Sequence, residues 1–246
     1  MMMLSGKRAL VTGASRGIGA AIAKKLAAEG ANVVITFEKS VEKANEVVED
    51  IRSRGGKATA IQANSADAND VKRSVAEARE FLGGIDILIN NAGIIRVGQF
   101  DQMSHEDIDA MLDVNVRAPI IASQTVIPHL GKGGRIITIG SFFANNVDWP
   151  GLTVYATTKS ALISFTKGLA RELGPQGITA NLVQPGAIDT DMNPANGDFS
   201  SLTKPLIPSG EYGTGNDIAN AVAFLASEGA SYINGASLTV DGGLTA

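Results

Sequence analysis

The stretch Thr12-Gly13-Ala14-Ser15-Arg16-Gly17-Ile18-Gly19 decides how this chain folds. Its three glycines follow a short apolar run at residues 7–11. They open a segment of helical periodicity at residues 17–29, in which Ile18, Ile22 and Leu26 share one face and Gly30 is the stop. Strand, glycine-rich turn and helix in that order give a tight turn and a backbone that a ligand can approach closely. The helix N-terminus then offers free N–H groups and a dipole that favours an anion. No Gly-Lys-Ser/Thr follows, so the turn is not a phosphate loop of the nucleoside-triphosphatase kind.

The same alternation continues outward. Residues 31–37 (A-N-V-V-I-T-F) are apolar and β-branched, the pattern of a buried strand. Helical periodicity returns at residues 41–54, a strand at 57–63, a helix at 67–82 and a strand at 85–89. One long helix is expected over residues 104–130, with Ser104 as N-cap and Asp107 in its first turn. Strands at 135–139, 178–183 and 237–240 then alternate with helices at 153–173 and 217–227. Continuous apolar strands separated by helices imply an α/β fold: one doubly wound domain over residues 1–246, with about seven parallel strands and helices on both faces. Its ligand is expected at the carboxyl ends of the strands.

Composition narrows the chemistry. The chain has no cysteine, two histidines (His105 and His129), 28 glycines and a formal net charge of −4. Disulfides, thiolate nucleophiles and cysteine-based metal sites are excluded. The histidines lack His-Glu-x-x-His spacing, so no metal site is expected, and both read as surface or helix residues. No basic stripe points to nucleic acid. No apolar run approaches the ~18–20 residues of a membrane span, and residues 1–6 lack the pattern of a signal peptide. A soluble cytoplasmic protein is the expectation. The glycines, in excess of the usual ~7%, sit singly or in pairs at the ends of periodic segments, as many tight turns require.

The turn's physics is that of a dinucleotide site. An acidic residue at the end of the second strand would bond the 2′-hydroxyl of NAD, but Phe37 stands there and Glu38 comes one place later. Arg16 suits a 2′-phosphate, with Lys39 or Ser40 as helpers, so NADPH/NADP⁺ is the expected cofactor. Tyr155 and Lys159 are spaced i, i+4 on a helix and share a face. An ammonium beside a phenol is expected to lower its pKa from ~10 and let it exchange a proton with a carbonyl or alcohol oxygen. Ser141, after the strand R-I-I-T-I-G, would hydrogen-bond the same oxygen. The Tyr–Lys spacing alone is frequent by chance.

Taken together, T-G-A-S-R-G-I-G, N-N-A-G at residues 90–93, Asn115 in D-V-N-V, Ser141, Y-x-x-x-K, P-G-A-I-D-T at residues 185–190 and the terminal V-D-G-G occur in an order that resembles the short-chain dehydrogenase/reductase family over essentially the whole chain. The resemblance implies a Rossmann fold, with Tyr155 as general acid/base, Lys159 as its pKa modifier and ribose ligand, and Ser141 as substrate-oxygen donor. It implies that Asn115 holds a water of a proton relay. Gly13, Ser15, Gly17, Ile18 and Gly19 would cradle the dinucleotide, and Asn64 and Ser65 would lie by the adenine. Asn91, Ala92 and Gly93 would line the adenosine side and steady the sheet. Pro185, Gly186, Ile188 and Thr190 would hold the nicotinamide.

By the same resemblance, Phe142, Phe143, Val147, Trp149 and Met192 would build an apolar pocket, and residues 190–212, rich in Gly and Pro, a mobile lid. Lys204 is the one basic residue there, and Glu211 departs from a basic position common in the family. A homotetramer is implied. The expected activity is NADPH-dependent reduction of a small-molecule ketone to a secondary alcohol. The alternatives are a 3-oxoacyl-[acyl-carrier-protein] reductase and a non-catalytic nucleotide-binding sensor.

Overall fold

The computed structural model describes residues 2–246. Among them the apolar runs form seven parallel strands: β1 (Arg8–Val11), β2 (Asn32–Phe37), β3 (Ala58–Gln62), β4 (Ile87–Asn90), β5 (Arg135–Ile139), β6 (Thr179–Pro185) and β7 (Ser237–Val240). They lie in one sheet in the order β3-β2-β1-β4-β5-β6-β7. The chain winds outward from β1 to β3, then returns to place β4 on the other side of β1. That reversal opens a crevice above the carboxyl ends of β1 and β4.

Pleating sends alternate side chains to opposite faces, and each face has its own core. Ala9 and Val11 of β1 and Val33 and Ile35 of β2 pack with Ile22 and Leu26 of helix α1 (Gly17–Ala28) and Val222 of α8 (Gly215–Ala226). Leu10, Val34 and Leu88 point the other way, onto Val75 and Ala78 of α3 (Ala68–Leu82) and Ala122 and Val126 of α5 (Ala118–Val126). Leu10 and Leu88 have no exposed surface, so truncating either to alanine costs about 2–5 kcal/mol. The remaining helices are α2 (Val41–Ser53), α4 (His105–Leu112), α6 (Thr153–Leu173) and the single turn α7 (Ser200–Thr203).

Helix starts follow capping chemistry. Asp67 accepts from the N–H groups of Asn69 and Asp70, and Ser104 accepts from Asp107 N–H at 3.1 Å, as its N-cap assignment requires. Thr214 and Asp217 form a reciprocal box at α8.

One expectation fails. Residues 104–130 are not a continuous α-helix: a π-helical turn, Asp113–Arg117, separates α4 from α5, and Ile127–His129 is a 3-10 turn. Pro119 supplies the physical reason. It has no N–H to bond the carbonyl of Asn115, so the α-ladder cannot run through. The N–H of Ala118 instead reaches back five residues to Asp113 O. The widened turn buries Asn115, which is 1% exposed. A polar residue turned inward by a π-turn is a frequent device at functional sites.

The segment at 190–212 leaves β6 and folds over the crevice through a Thr190–Asn193 bridge, α7 and a 3-10 turn at Lys204–Leu206. Glu211 pairs with Lys204 at 3.0 Å, within the same segment. No helix among the described residues is long and apolar enough to cross a membrane.

Candidate active site

The crevice is a cavity of about 700 Å³, within the ~300–1,000 Å³ range of small-molecule sites. Its floor is the glycine-rich turn. Gly13 and Gly17 have φ of 62° and 55°, values that side chains rarely adopt. A Cβ on Gly13 would stand 2.8 Å from Ala92 Cα, so the turn needs glycine there for space as well. Two threonines wire the turn to the sheet. Thr12 Oγ1 accepts from the N–H groups of Asn91 (3.0 Å) and Ala92 (3.1 Å), and Thr36 Oγ1 accepts from Gly13 N–H at 3.1 Å. The Asn91 amide donates to the carbonyls of Thr12 and Gly13, both at 2.9 Å. Neither threonine stands out in the sequence as a site residue; their role depends on the register of β1, β2 and β4.

Helix α1 rises from this turn without a side-chain cap and with no acidic residue in its first turn, unlike α3, α4 and α8. Its first N–H groups are therefore available to an anion in the cavity. Arg16 lines the cavity, with Nη1 3.6 Å from Asp191 Oδ2. Lys39 lines it too, but its ammonium is 3.2 Å from the carboxylate of Glu38. Phe37 is buried at the end of β2.

At the far end stand the chemically active groups. Ser141 leaves β5 in extended geometry, and its Oγ accepts from Phe143 N–H at 3.2 Å, which leaves its own proton free to donate. Gln184, on β6, holds this loop by bonding Ser141 O (3.4 Å) and accepting from Asn145 Nδ2 (3.3 Å). Tyr155 is half-buried and faces the cavity. Burial pushes its phenol up to about 12, and the neighbouring Ser141 hydroxyl works against that push. Lys159 is 5% exposed. Its Nζ donates to Ile139 O at 3.1 Å and lies 5.8 Å from the centre of the Tyr155 ring. Burial brings this ammonium down to about 8. The expected lowering of the phenol pKa by the lysine is thus not found: burial dominates, and the Ser141 hydroxyl is what counters it.

Asn115 lies off the cavity wall, behind Gly93. Its Nδ2 donates to Ile94 O (2.9 Å) and Thr158 Oγ1 (3.1 Å), and its Oδ1 accepts from Ile94 N–H (2.8 Å). Thr158 Oγ1 in turn donates to Tyr155 O at 2.7 Å, so the π-turn is tied to the helix that carries Tyr155 and Lys159.

Of the residues singled out from sequence, Asn64, Asn115 and Val147 do not line the cavity, and the others do. The Asn64 side chain instead accepts from Ala66 N–H in a turn, and Val147 is 54% exposed. Phe143 meets Trp149 and Tyr155 edge-on, at 5.7 and 6.2 Å between ring centres. Ile94, Val97, Leu152 and Phe199 add apolar wall that the motifs did not mark. Gly186 is where the C-terminal turn packs: a Cβ there would stand 2.5 Å from Asp241 Cβ. Both histidines are exposed, and His129 sits beside Arg79.

Comparison with known proteins agrees with this arrangement. A family model described as enoyl-(acyl carrier protein) reductase matches residues 13–245. The 3-oxoacyl-[acyl-carrier-protein] reductase FabG of Staphylococcus aureus is 43% identical over 241 residues, covering 97% of this chain and 98% of its own. The cyclic-di-GMP-binding biofilm dispersal mediator protein of Escherichia coli is 40% identical over 242 residues, 98% of each chain. Among solved structures, a short chain dehydrogenase from Burkholderia cenocepacia in complex with NADP superposes with a TM-score of 0.98 at 54% identity, over 99% of this chain and 100% of that one.

Proposed function

The chain belongs to the short-chain dehydrogenase/reductase family of nicotinamide-dependent oxidoreductases, and we propose that it is an NADPH-dependent carbonyl reductase acting on a bulky apolar ketone. The observation that carries the proposal is one continuous cavity with an uncapped helix N-terminus at one end and Ser141, Tyr155 and Lys159 at the other. The residues fit a dinucleotide. Gly13, Gly17 and Gly19 leave the floor clear, the N–H groups of α1 suit a pyrophosphate, and Arg16 suits a 2′-phosphate. The NADP complex of the Burkholderia relative supports the same cofactor.

A bound reduced nicotinamide would supply hydride to the carbonyl carbon. The chain's own groups handle the oxygen. Ser141 donates its free proton as a hydrogen bond to the carbonyl oxygen. Tyr155 transfers its phenolic proton to that oxygen; with its pKa near 12 the proton is in place at neutral pH. Lys159, with a pKa near 8, is still a cation at pH 7 and stabilises the phenolate left behind. Asn115 fixes the Ile94 turn beside Lys159, and the second lone pair of its Oδ1 is left for the water of a proton relay. Phe142, Phe143, Trp149 and Met192 hold the apolar body of the substrate, and residues 190–212 cover it.

The 3-oxoacyl-[acyl-carrier-protein] reductase reading draws support from the Staphylococcus aureus relative. Lys204, the one basic side chain of residues 190–212, is engaged by Glu211, which favours a free ketone over one carried by an acidic protein. A sensor, as the name of the Escherichia coli relative suggests, has no use for a buried lysine behind a proton-loaded tyrosine. The exposed Phe224, Tyr232 and Leu238, on and beside α8 and the edge strand β7, support a homotetramer.

One assay panel tests the proposal: oxidation of NADPH and NADH with an aryl ketone, a small aliphatic ketone and a 3-oxoacyl thioester. Turnover of the aryl ketone with NADPH is expected to lead. A lead for the thioester favours the carrier-protein reading, and no turnover with any ketone overturns both.

A further inference from the structure

The glycine-rich turn, the first turn of α2 and the root of the covering segment meet at a cluster of three charges. Asp191 Oδ2 accepts from Lys43 Nζ at 2.8 Å and stands 3.6 Å from Arg16 Nη1. Lys43 and Asp191 are 148 positions apart in the chain. The backbone turn that presents the carboxylate is held from its own side. Thr190 packs against Gly17, where a Cβ would stand 3.5 Å from Thr190 Cγ2, and Asn193 N–H donates to Thr190 O at 3.0 Å to close the turn that presents Asp191. Lys43 first and Arg16 second hold the Asp191 carboxyl below the usual carboxylate range.

An oxyanion seated on two cations beside the end of β2 is the arrangement that a ribose 2′-phosphate requires. Here the chain supplies the oxyanion itself. Arg16, Ser40 and Asp191 line the same cavity, and Lys43 reaches the Asp191 carboxylate from α2 at the margin of that groove without lining it. Lys39 differs in that its ammonium pairs with the neighbouring Glu38 and takes no part in the contact with Asp191.

We propose that Asp191 sets cofactor specificity: its carboxylate occupies the anion position between Arg16 and Lys43, and the 2′-phosphate of a dinucleotide binds there by displacing it. The proposal rests on the NADPH reading above and deepens it, making Lys43 the second phosphate-binding cation. Charge decides the displacement. A phosphomonoester and a carboxylate at contact distance on the same two cations repel one another, so one must leave. Asp191, Arg16 and Lys43 are each about half exposed, with side-chain exposures of 54%, 57% and 49%, so the carboxylate has room to swing into water. NADH brings no 2′-phosphate and leaves the cluster intact. Asp191 therefore opposes NADPH alone, and only a 2′-phosphate frees the root of the covering segment from the glycine turn.

The test measures dissociation constants of NADPH and NADH, by nicotinamide fluorescence, for the wild-type chain, Asp191→Asn and Lys43→Met at low and high salt. Asp191→Asn is expected to tighten NADPH roughly three- to fivefold and to leave NADH within about twofold. Lys43→Met is expected to weaken NADPH by a similar factor without moving NADH. Both effects should shrink at high salt, as exposed charge interactions do. An unchanged or weaker NADPH constant for Asp191→Asn overturns the proposal, as does an equal shift for both cofactors. The wild-type ratio separately tests the NADPH reading: a preference for NADH overturns that reading, while the change in the ratio on Asp191→Asn still decides the role of Asp191.

Discussion

The carboxamide of Asn115 grips the main chain of Ile94 at both its polar groups, Oδ1 accepting from the N–H at 2.8 Å and Nδ2 donating to the carbonyl at 2.9 Å. Ile94 directly follows Gly93, whose Cβ position would lie 3.4 Å from Lys159 Nζ, so the grip fixes the strand exit against Lys159. Asn115→Ala leaves both backbone groups short of partners. At about 1–3 kcal/mol for each unsatisfied buried group, the loss should be roughly 2–6 kcal/mol. A chain of this length should then melt about 4–24 °C lower, with turnover reduced at least about tenfold. Asn115→Asp keeps the acceptor but sets an oxygen against Ile94 O, so calorimetry should find it no more stable than the alanine variant. A fully stable Asn115→Asp would refute the two-sided grip.

In the proposed reaction Tyr155 donates the proton, and its pKa near 12 gives removal of the hydroxyl a clear signature. Tyr155→Phe keeps the ring and its edge contact with Phe143. Turnover should fall at least about a thousandfold, within the usual ~10²–10⁴ worth of a positioned acid. NADPH binding by fluorescence should stay close to wild type. Retained turnover would mean that another group protonates the substrate oxygen.

Lys159 trades stability for chemistry. Its folded pKa of about 8 lies below the free value of 10.5, so the folded chain binds this proton less well than the unfolded chain does. Its contribution to stability is present above pH 10.5 and is lost as pH falls through 8. A shift of this size corresponds to roughly 3 kcal/mol at neutral pH, offset in a Lys159→Met variant by the lost bond to Ile139 O, worth about 1 kcal/mol. Lys159→Met should therefore melt a few degrees higher than wild type at pH 7, with the advantage gone by about pH 10.5. In the wild type, kcat for reduction should decline above pH 8 as the ammonium is lost, and melting curves and rates across pH 6–11 read both limbs.

Sequence patterning reached the central strands because β1, β2 and β4 are buried on both faces and read as apolar, β-branched runs, whereas the edge strand β7 is largely exposed and is marked only by its place in the alternation. It reached the motif residues because glycines and an i, i+4 pair carry their reason locally. The break at Asp113–Arg117 has one local signal, Pro119, which is masked because Ile108, Met111 and Ile120 keep a plausible helical stripe and periodicity does not register one extra residue in a turn. The wiring by Thr12, Thr36 and Gln184 was hidden for another reason, since each acts on a neighbouring strand whose register only the fold sets. The raised pKa of Tyr155 is not legible in the sequence, which shows the lysine four places on but not the burial of the phenol.

The aromatic wall gives the sharpest test of substrate class, because its two rings have different neighbours. Trp149 touches the cavity and the edge of Phe143, whereas Phe143 also meets the Tyr155 ring at 6.2 Å. Trp149→Ala removes apolar wall and one edge contact, worth about 0.5–1.5 kcal/mol beyond burial, while the Phe143–Tyr155 pair remains. KM for a bulky aryl ketone should rise about tenfold or more, with kcat little changed and a small aliphatic ketone scarcely affected. Phe143→Ala frees the Tyr155 ring as well, so kcat should fall along with the gain in KM, for both substrates. Steady-state kinetics of the two variants with the two ketones separate a wall that binds from a ring that orients. An equal loss by Trp149→Ala on both ketones would show that Trp149 supports the loop between Ser141 and Tyr155 and does not hold the substrate.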